Sequence, residues 1–185
     1  MTLPTKLTLV RIILTFVIMA FLFVPGAAAK TAALIGFVIA SITDGVDGWL
    51  ARRWHQTSAV GALLDPIADK ILVLGIFLSC VQLGVIPAWM VLVIAFRELL
   101  VTGVRLMAAG RQVVLAAAKE GKQKTIAQMT TIIVVLVSLI AQERSTAALW
   151  RLVIESCMWV TLILTVFSGV MFFWRQRVVL REVLG

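Results

Sequence analysis

The four aspartates of this chain, Asp44, Asp47, Asp65 and Asp69, all fall within one stretch of 26 residues, inside a sequence otherwise apolar enough to live in lipid. Carboxylates near a bilayer are costly unless they are paired, solvated or bound to a cation, so their grouping points to a site. Asp44 and Asp47 are three apart and Asp65 and Asp69 four apart, a spacing that projects each pair from one face of a helix. The connection between the pairs, residues 53–60, is short, and it predicts that the two helices are antiparallel neighbours with their carboxylates converging. Four facing carboxylates repel one another unless divalent cations neutralise them. Ligation by oxygen alone favours Mg²⁺, Mn²⁺ or Ca²⁺ over zinc.

The neighbours of the aspartates fit a ligand that comes close to backbone. Gly45, Gly48 and Gly61 flank them, and each costs about 1 kcal/mol relative to alanine in a helix. Helix packing is the plainer use of Gly45 and Gly48. Arg52 lies one turn beyond Gly48, and a guanidinium fork beside bound metal suits phosphate oxygens. His55 is the one histidine and has no evident activating partner, so it reads as a loop residue. Cys80 and Cys157 sit in apolar stretches without metal-like spacing and read as small core residues.

The elements that must position these residues follow from composition. With 62% hydrophobic residues and a mean hydropathy of +1.08 over 185 residues, the chain exceeds what a soluble domain carries, and the expected class is an all-α integral membrane protein. Six apolar segments are expected: Leu7–Val24, Thr31–Arg52, Gly61–Leu83, Pro87–Ala108, Lys124–Ala141 and Leu149–Trp174, forming one membrane domain over residues 1–185. Ala27, Ala28 and Ala29 resemble a signal-peptide cleavage site, but apolar segments follow at once, so the first run is expected to be a retained span. Of the lysines and arginines, only Lys30, Arg144 and Arg151 fall on one side of such a bundle. The positive-inside rule therefore predicts that both termini and the aspartates face the cytoplasm. The net charge of +8 is spread among the apolar segments rather than gathered on a soluble face, which argues against nucleic acid as a partner. Gly75, Ser79, Gly103 and Ala108 would allow close helix packing within the monomer or a dimer.

The stretch DGVDGWLAR at Asp44–Arg52, eight further residues, then GALLDPIAD at Gly61–Asp69 resembles without exception the pattern D-x2-D-G-x2-A-R-x8-G-x3-D-x3-D of the CDP-alcohol phosphatidyltransferases. The resemblance implies that Asp44, Asp47 and Asp65 bind a pair of divalent ions, usually Mg²⁺, and that Asp69 is both ligand and general base. It also implies that Gly48, Arg52, Ser58 and Gly61 line the pocket for CDP-diacylglycerol. The segments PTKLTLVR at Pro4–Arg11, FRELLVTGVR at Phe96–Arg105 and GKQKT at Gly121–Thr125 are similar to the bacterial phosphatidylglycerophosphate synthases of that family. This implies a multi-pass homodimer in the inner membrane. Thr5 departs from the asparagine common there and bears on an N-terminal contact with the CDP-lipid.

Arg97 lies ten residues after Pro87, roughly 15 Å along a helix and deep in a bilayer, so it should face a polar cavity with Glu98 and Arg105 nearby. With Lys122 and Lys124 across the next loop, these cations are suited to the phosphate of sn-glycerol 3-phosphate. The expected reaction moves a phosphatidyl group from CDP-diacylglycerol to that acceptor and releases CMP. Phosphatidylglycerol, serine or an inositol phosphate are the alternative acceptors within the family. The alternative of another class is a cation channel or transporter, whose carboxylates should lie along a transmembrane path rather than near one face.

Overall fold

Apolar runs of about 20 residues, free of interior proline apart from Pro66, leave helix as the only way to satisfy the backbone without water. The computed structural model describes the backbone of residues 3–54, 59–111, 119–141 and 147–184, and the side chains of residues 8–43, 67–111, 121–141 and 148–177. These residues form six helices: α1 (Leu3–Phe23), α2 (Ala27–Trp54), α3 (Ala59–Gln82), α4 (Ala88–Gly110), α5 (Lys119–Ala141) and α6 (Ala147–Leu184). Each expected segment corresponds to one helix. The largest difference is α6, which continues ten residues past Trp174 because no proline or glycine interrupts it before Gly185.

The turns are built from few residues. Gly26, at φ 103°, reverses the chain after α1, and Lys30 donates back to the carbonyls of Leu22 and Val24. A lysine there answers carbonyls that have no partner inside the helix. At the end of α3, Gly84 takes φ 71°, its N–H donates to Val81 O at 2.9 Å, and Val85 N–H donates to Cys80 O at 3.0 Å. That pair of hydrogen bonds around a left-handed glycine is the Schellman arrangement. Pro87, at φ −70° and ψ 133°, then caps the start of α4.

Packing closes the helices into a ring in the order α1, α3, α4, α6, α5, α2, with α3 also touching α5 across the middle. This corrects the expectation that α2 and α3 are direct neighbours: among the described residues both pack on α1, and they share no extensive contact of their own. The reason lies in two glycines. A Cβ at Gly36 of α2 would stand 3.0 Å from Ile18 Cγ1, and a Cβ at Gly75 of α3 would stand 3.0 Å from Met19 Sδ and 3.2 Å from Thr15 Cγ2. Adjacent side chains of α1 thus fill notches in both helices, and α1 is drawn between them.

All six helices feed one core, which includes Ile18, Phe37, Leu72, Phe77, Ile94, Ile132 and Met158. The outer surface is apolar as well, with Phe16, Leu92, Phe96, Ile163 and Phe167 exposed, while Glu98, Lys124 and Gln128 are buried. A surface of that kind is suited to lipid rather than water. Among the described side chains, Gly121–Ala141 and Ala148–Arg177 are long and apolar enough to cross a membrane. Thr8–Phe23 and Ala27–Thr43 are shorter apolar stretches. Cys80 is buried, Cys157 is half-buried, and both are free thiols.

Candidate active site

The carboxylates expected to hold metal lie on two helices: Asp44 and Asp47 on α2, Asp65 and Asp69 on α3. Gly48 and Arg52 are on α2, Gly61 is on α3 and Thr5 is on α1. Of these, the side chain of Asp69 is described; those of Thr5, Asp44, Asp47, Arg52 and Asp65 lie outside the described residues, as does Ser58 altogether. The expected donor set, four carboxylates, two per helix and without nitrogen or sulfur, is of the chemistry that suits a hard divalent cation. Asp69 is partly exposed, and its Oδ2 accepts from Lys70 Nζ at 2.5 Å.

Lys70 is the step from the aspartates into a second group of charges. Its Nζ also lies 3.3 Å from Oε2 of Glu98, which is 2% exposed. Oε1 of Glu98 accepts from Lys124 Nζ, from Arg97 Nη1 at 3.2 Å and from Gln128 Nε2 at 3.2 Å. One buried carboxylate therefore gathers Lys70 from α3, Arg97 from its own helix, and Lys124 and Gln128 from α5. Helix spacing explains the last pair: Lys124 and Gln128 are four apart and share a face of α5. Burying so many charges is tolerable because each finds a partner.

Around this cluster is a cavity of about 490 Å³, with Lys70, Arg97, Glu98, Arg105, Lys122 and Lys124 in its lining. The arginines and lysines expected to work together, Arg97, Arg105, Lys122 and Lys124, are thus brought to one place, and Lys70 joins them. Among the described residues the lining holds five cations and one carboxylate, that of Glu98, a surplus of positive charge suited to a multiply charged anion. Arg105 lies with its guanidinium carbon 5.3 Å from the centre of the Phe172 ring of α6. A larger cavity of about 670 Å³ lies between the α3–α4 turn and α6, with Pro87, Met90, Arg151, Glu155 and Trp159 in its lining. Its charges belong to the exposed pair Arg151–Glu155, four apart on α6 at 3.2 Å, and among the described residues no buried charge cluster converges on it. Among the described residues, the buried charges gather at the smaller cavity.

Lys70, Gln128 and Ser168 were not among the expected site residues. Glu98 was expected only as a neighbour of Arg97. For Glu98 the signal was present, since a carboxylate amid the apolar run of α4 needs a cation. For Ser168, a hydroxyl in an apolar helix gives no such signal, because it can bond to its own backbone.

Comparison with known proteins bears on this arrangement. The family profile described as CDP-alcohol phosphatidyltransferase matches residues 1–171. Among curated proteins, a CDP-diacylglycerol--glycerol-3-phosphate 3-phosphatidyltransferase of Bacillus subtilis is 38% identical, over 90% of this chain and 91% of its own length. One of the same name from Salmonella choleraesuis is 40% identical over 70% of this chain and 73% of its own. Another, from Rickettsia typhi, is 30% identical over 92% of this chain and 94% of its own.

Proposed function

This chain belongs to the CDP-alcohol phosphatidyltransferase family, and from that premise we propose that it transfers a phosphatidyl group from CDP-diacylglycerol to the primary hydroxyl of sn-glycerol 3-phosphate. The products are phosphatidylglycerophosphate and CMP. The observation that carries this reading is the link through Lys70: it bonds to Asp69 at 2.5 Å and also lines the cation cavity. A carboxylate able to accept a proton and a pocket for an acceptor's phosphate are therefore one side chain apart. Serine, a zwitterion, or phosphatidylglycerol, with a singly charged phosphodiester, would leave more of the cavity's surplus charge unmatched than the doubly charged phosphate of glycerol 3-phosphate, which favours glycerol 3-phosphate.

In this mechanism Arg97, Arg105, Lys122 and Lys124 hold the acceptor phosphate and aim its free hydroxyl toward Asp69. Asp69 takes the hydroxyl proton as the oxygen attacks the phosphorus of the phosphatidyl group in line, and the bond to CMP breaks. Thr5, Gly48, Arg52, Ser58 and Gly61 form the side that receives the CDP-lipid. Two divalent ions, Mg²⁺ or Mn²⁺, would be held by Asp44, Asp47, Asp65 and Asp69 and would supply charge neutralisation at the diphosphate. No covalent phosphatidyl-enzyme is needed for this route.

The setting we propose is a single membrane domain over residues 1–185 with six spans, in the bacterial inner membrane. Both termini and the site face the cytoplasm, where the lysines and arginines gather, and two copies form a homodimer. The apolar outer surface of the helices supports the membrane part of this proposal. The test is CMP release by purified protein supplied with CDP-diacylglycerol, Mg²⁺ and each acceptor in turn. Glycerol 3-phosphate should support release at least tenfold faster than phosphatidylglycerol or serine, as each 1.4 kcal/mol of added binding is about tenfold, and inositol phosphate, with the same phosphate dianion, separates recognition of the phosphate from recognition of the rest of the acceptor. Equal rates with serine or phosphatidylglycerol would overturn the assignment.

A further inference from the structure

Both arginines of the cavity rest on α6, a helix that carries none of the expected site residues. Arg97 Nη2 donates to Ser168 Oγ at 2.9 Å, and that hydroxyl donates onward to Thr165 O at 3.1 Å. With its proton committed to its own helix, Ser168 keeps lone pairs for the guanidinium. The next residue, Gly169, leaves room for the stem of the same arginine: a Cβ there would stand 3.0 Å from Arg97 Cγ and 3.4 Å from Arg97 Nε. Arg97 Nε is itself buried and has no acceptor among the described residues, so hydrogen bonds hold the far end of the side chain and packing holds the near end. One turn further along α6, the buried ring of Phe172 lies under Arg105. Ser168 and Phe172 are four apart, on one face of α6, while Arg97 and Arg105 are eight apart on α4, which packs against it.

We propose that the face of α6 made by Ser168, Gly169 and Phe172 is a cradle that positions Arg97 and Arg105 for the acceptor's phosphate. The inference rests on the reading of the cavity given above. These α6 residues are positioning residues: they touch the arginines, and the arginines touch the phosphate. An arginine binds phosphate through two parallel N–H bonds only when the plane of its guanidinium is set, and a side chain already held in place loses less freedom on binding. A cradle on a different helix from the arginines also makes acceptor affinity depend on how α4 and α6 are packed.

The experiment is steady-state kinetics of the full-length enzyme for Ser168→Ala, Gly169→Ala, Arg97→Ala and the two double variants that combine Arg97→Ala with each α6 change. Loss of the Ser168 bond should raise KM for glycerol 3-phosphate roughly five- to tenfold, and the Gly169→Ala clash about tenfold or more. KM for CDP-diacylglycerol and kcat should stay within about twofold. In the Arg97→Ala background, where the contact is already gone, each α6 change should add less than about twofold. Ser168→Ala is small enough to keep the test valid should Gly169→Ala fold poorly. An acceptor KM that rises in Arg97→Ala but stays normal in Ser168→Ala would refute the cradle alone, as would α6 effects that add in full to Arg97→Ala. A normal acceptor KM in Arg97→Ala would refute the acceptor reading itself.

Discussion

Glu98→Gln is the substitution whose consequence the structure defines most closely. Gln keeps the shape and the Oε1 acceptor but removes the one negative charge that the described residues place in the lining of the cavity, leaving Lys70, Arg97 and Lys124 without it. All four side chains are largely shielded, Glu98 at 2% exposure and Lys70, the most open, at 19%, so solvent screens the loss poorly. The contacts of Lys124 and Arg97 with Oε1 lose the carboxylate's charge, and the Oε2 contact with Lys70 is replaced by an amide N–H that faces an ammonium, at a cost of roughly 1 kcal/mol each, or about 3 kcal/mol in all, near the low end of what breaking a buried ion pair costs. For a chain of this size that lowers the unfolding temperature by roughly 6–12 °C, readable by thermal unfolding of the detergent-solubilised protein. Added glycerol 3-phosphate should recover part of the loss and should raise the melting temperature of the variant more than that of the wild type, because the anion supplies the missing counter-charge. A variant that melts with the wild type, and gains no more from the anion, would show that Glu98 does not hold the cluster together.

Asp69→Asn should lose about 10²-fold or more in kcat while still binding CDP-diacylglycerol, since the amide keeps one oxygen ligand but cannot accept the proton; near-normal CMP release would remove Asp69 as the base. Chelation should abolish CMP release and Mg²⁺ or Mn²⁺ should restore it, whereas full activity in excess chelator would sink the metal-dependent route. In the same vein, Asp44→Asn and Asp65→Asn should each shift the metal titration of activity to higher concentration, and unchanged curves in both would remove them as ligands. Arg97→Ala should raise KM for glycerol 3-phosphate about tenfold or more and KM for CDP-diacylglycerol far less; a change confined to the lipid KM would reverse the assignment of the cavity.

Much of this protein could be read from one dimension. Six apolar runs became six helices, because long apolar runs with few prolines or glycines bond their backbone within the segment, and the punctuation at Gly26, Gly84 and Pro87 marks turns in which each residue's own conformational limits decide. The aspartate spacing assigned two carboxylates to each of two helices, and Arg97 deep in α4 announced a polar interior, since a charge there has to find company. What tertiary structure decided is which helix meets which. A short connection from α2 to α3 suggested direct neighbours, yet α1 stands between them because Gly36 and Gly75 open notches for its side chains, a property of two surfaces that no local pattern reports. The same holds for the charges: Lys70, Glu98 and Lys124 are far apart in sequence, and only the packing of α3, α4 and α5 makes one carboxylate partner to Lys70, Arg97 and Lys124. Ser168, Gly169 and Phe172 look like ordinary residues of an apolar helix until α4 lies against them. Local spacing determines which residues share a helix face, because that follows from the helical repeat; which face a partner helix presents depends on side-chain shapes summed over the whole ring, and that sum exists only once the chain has folded.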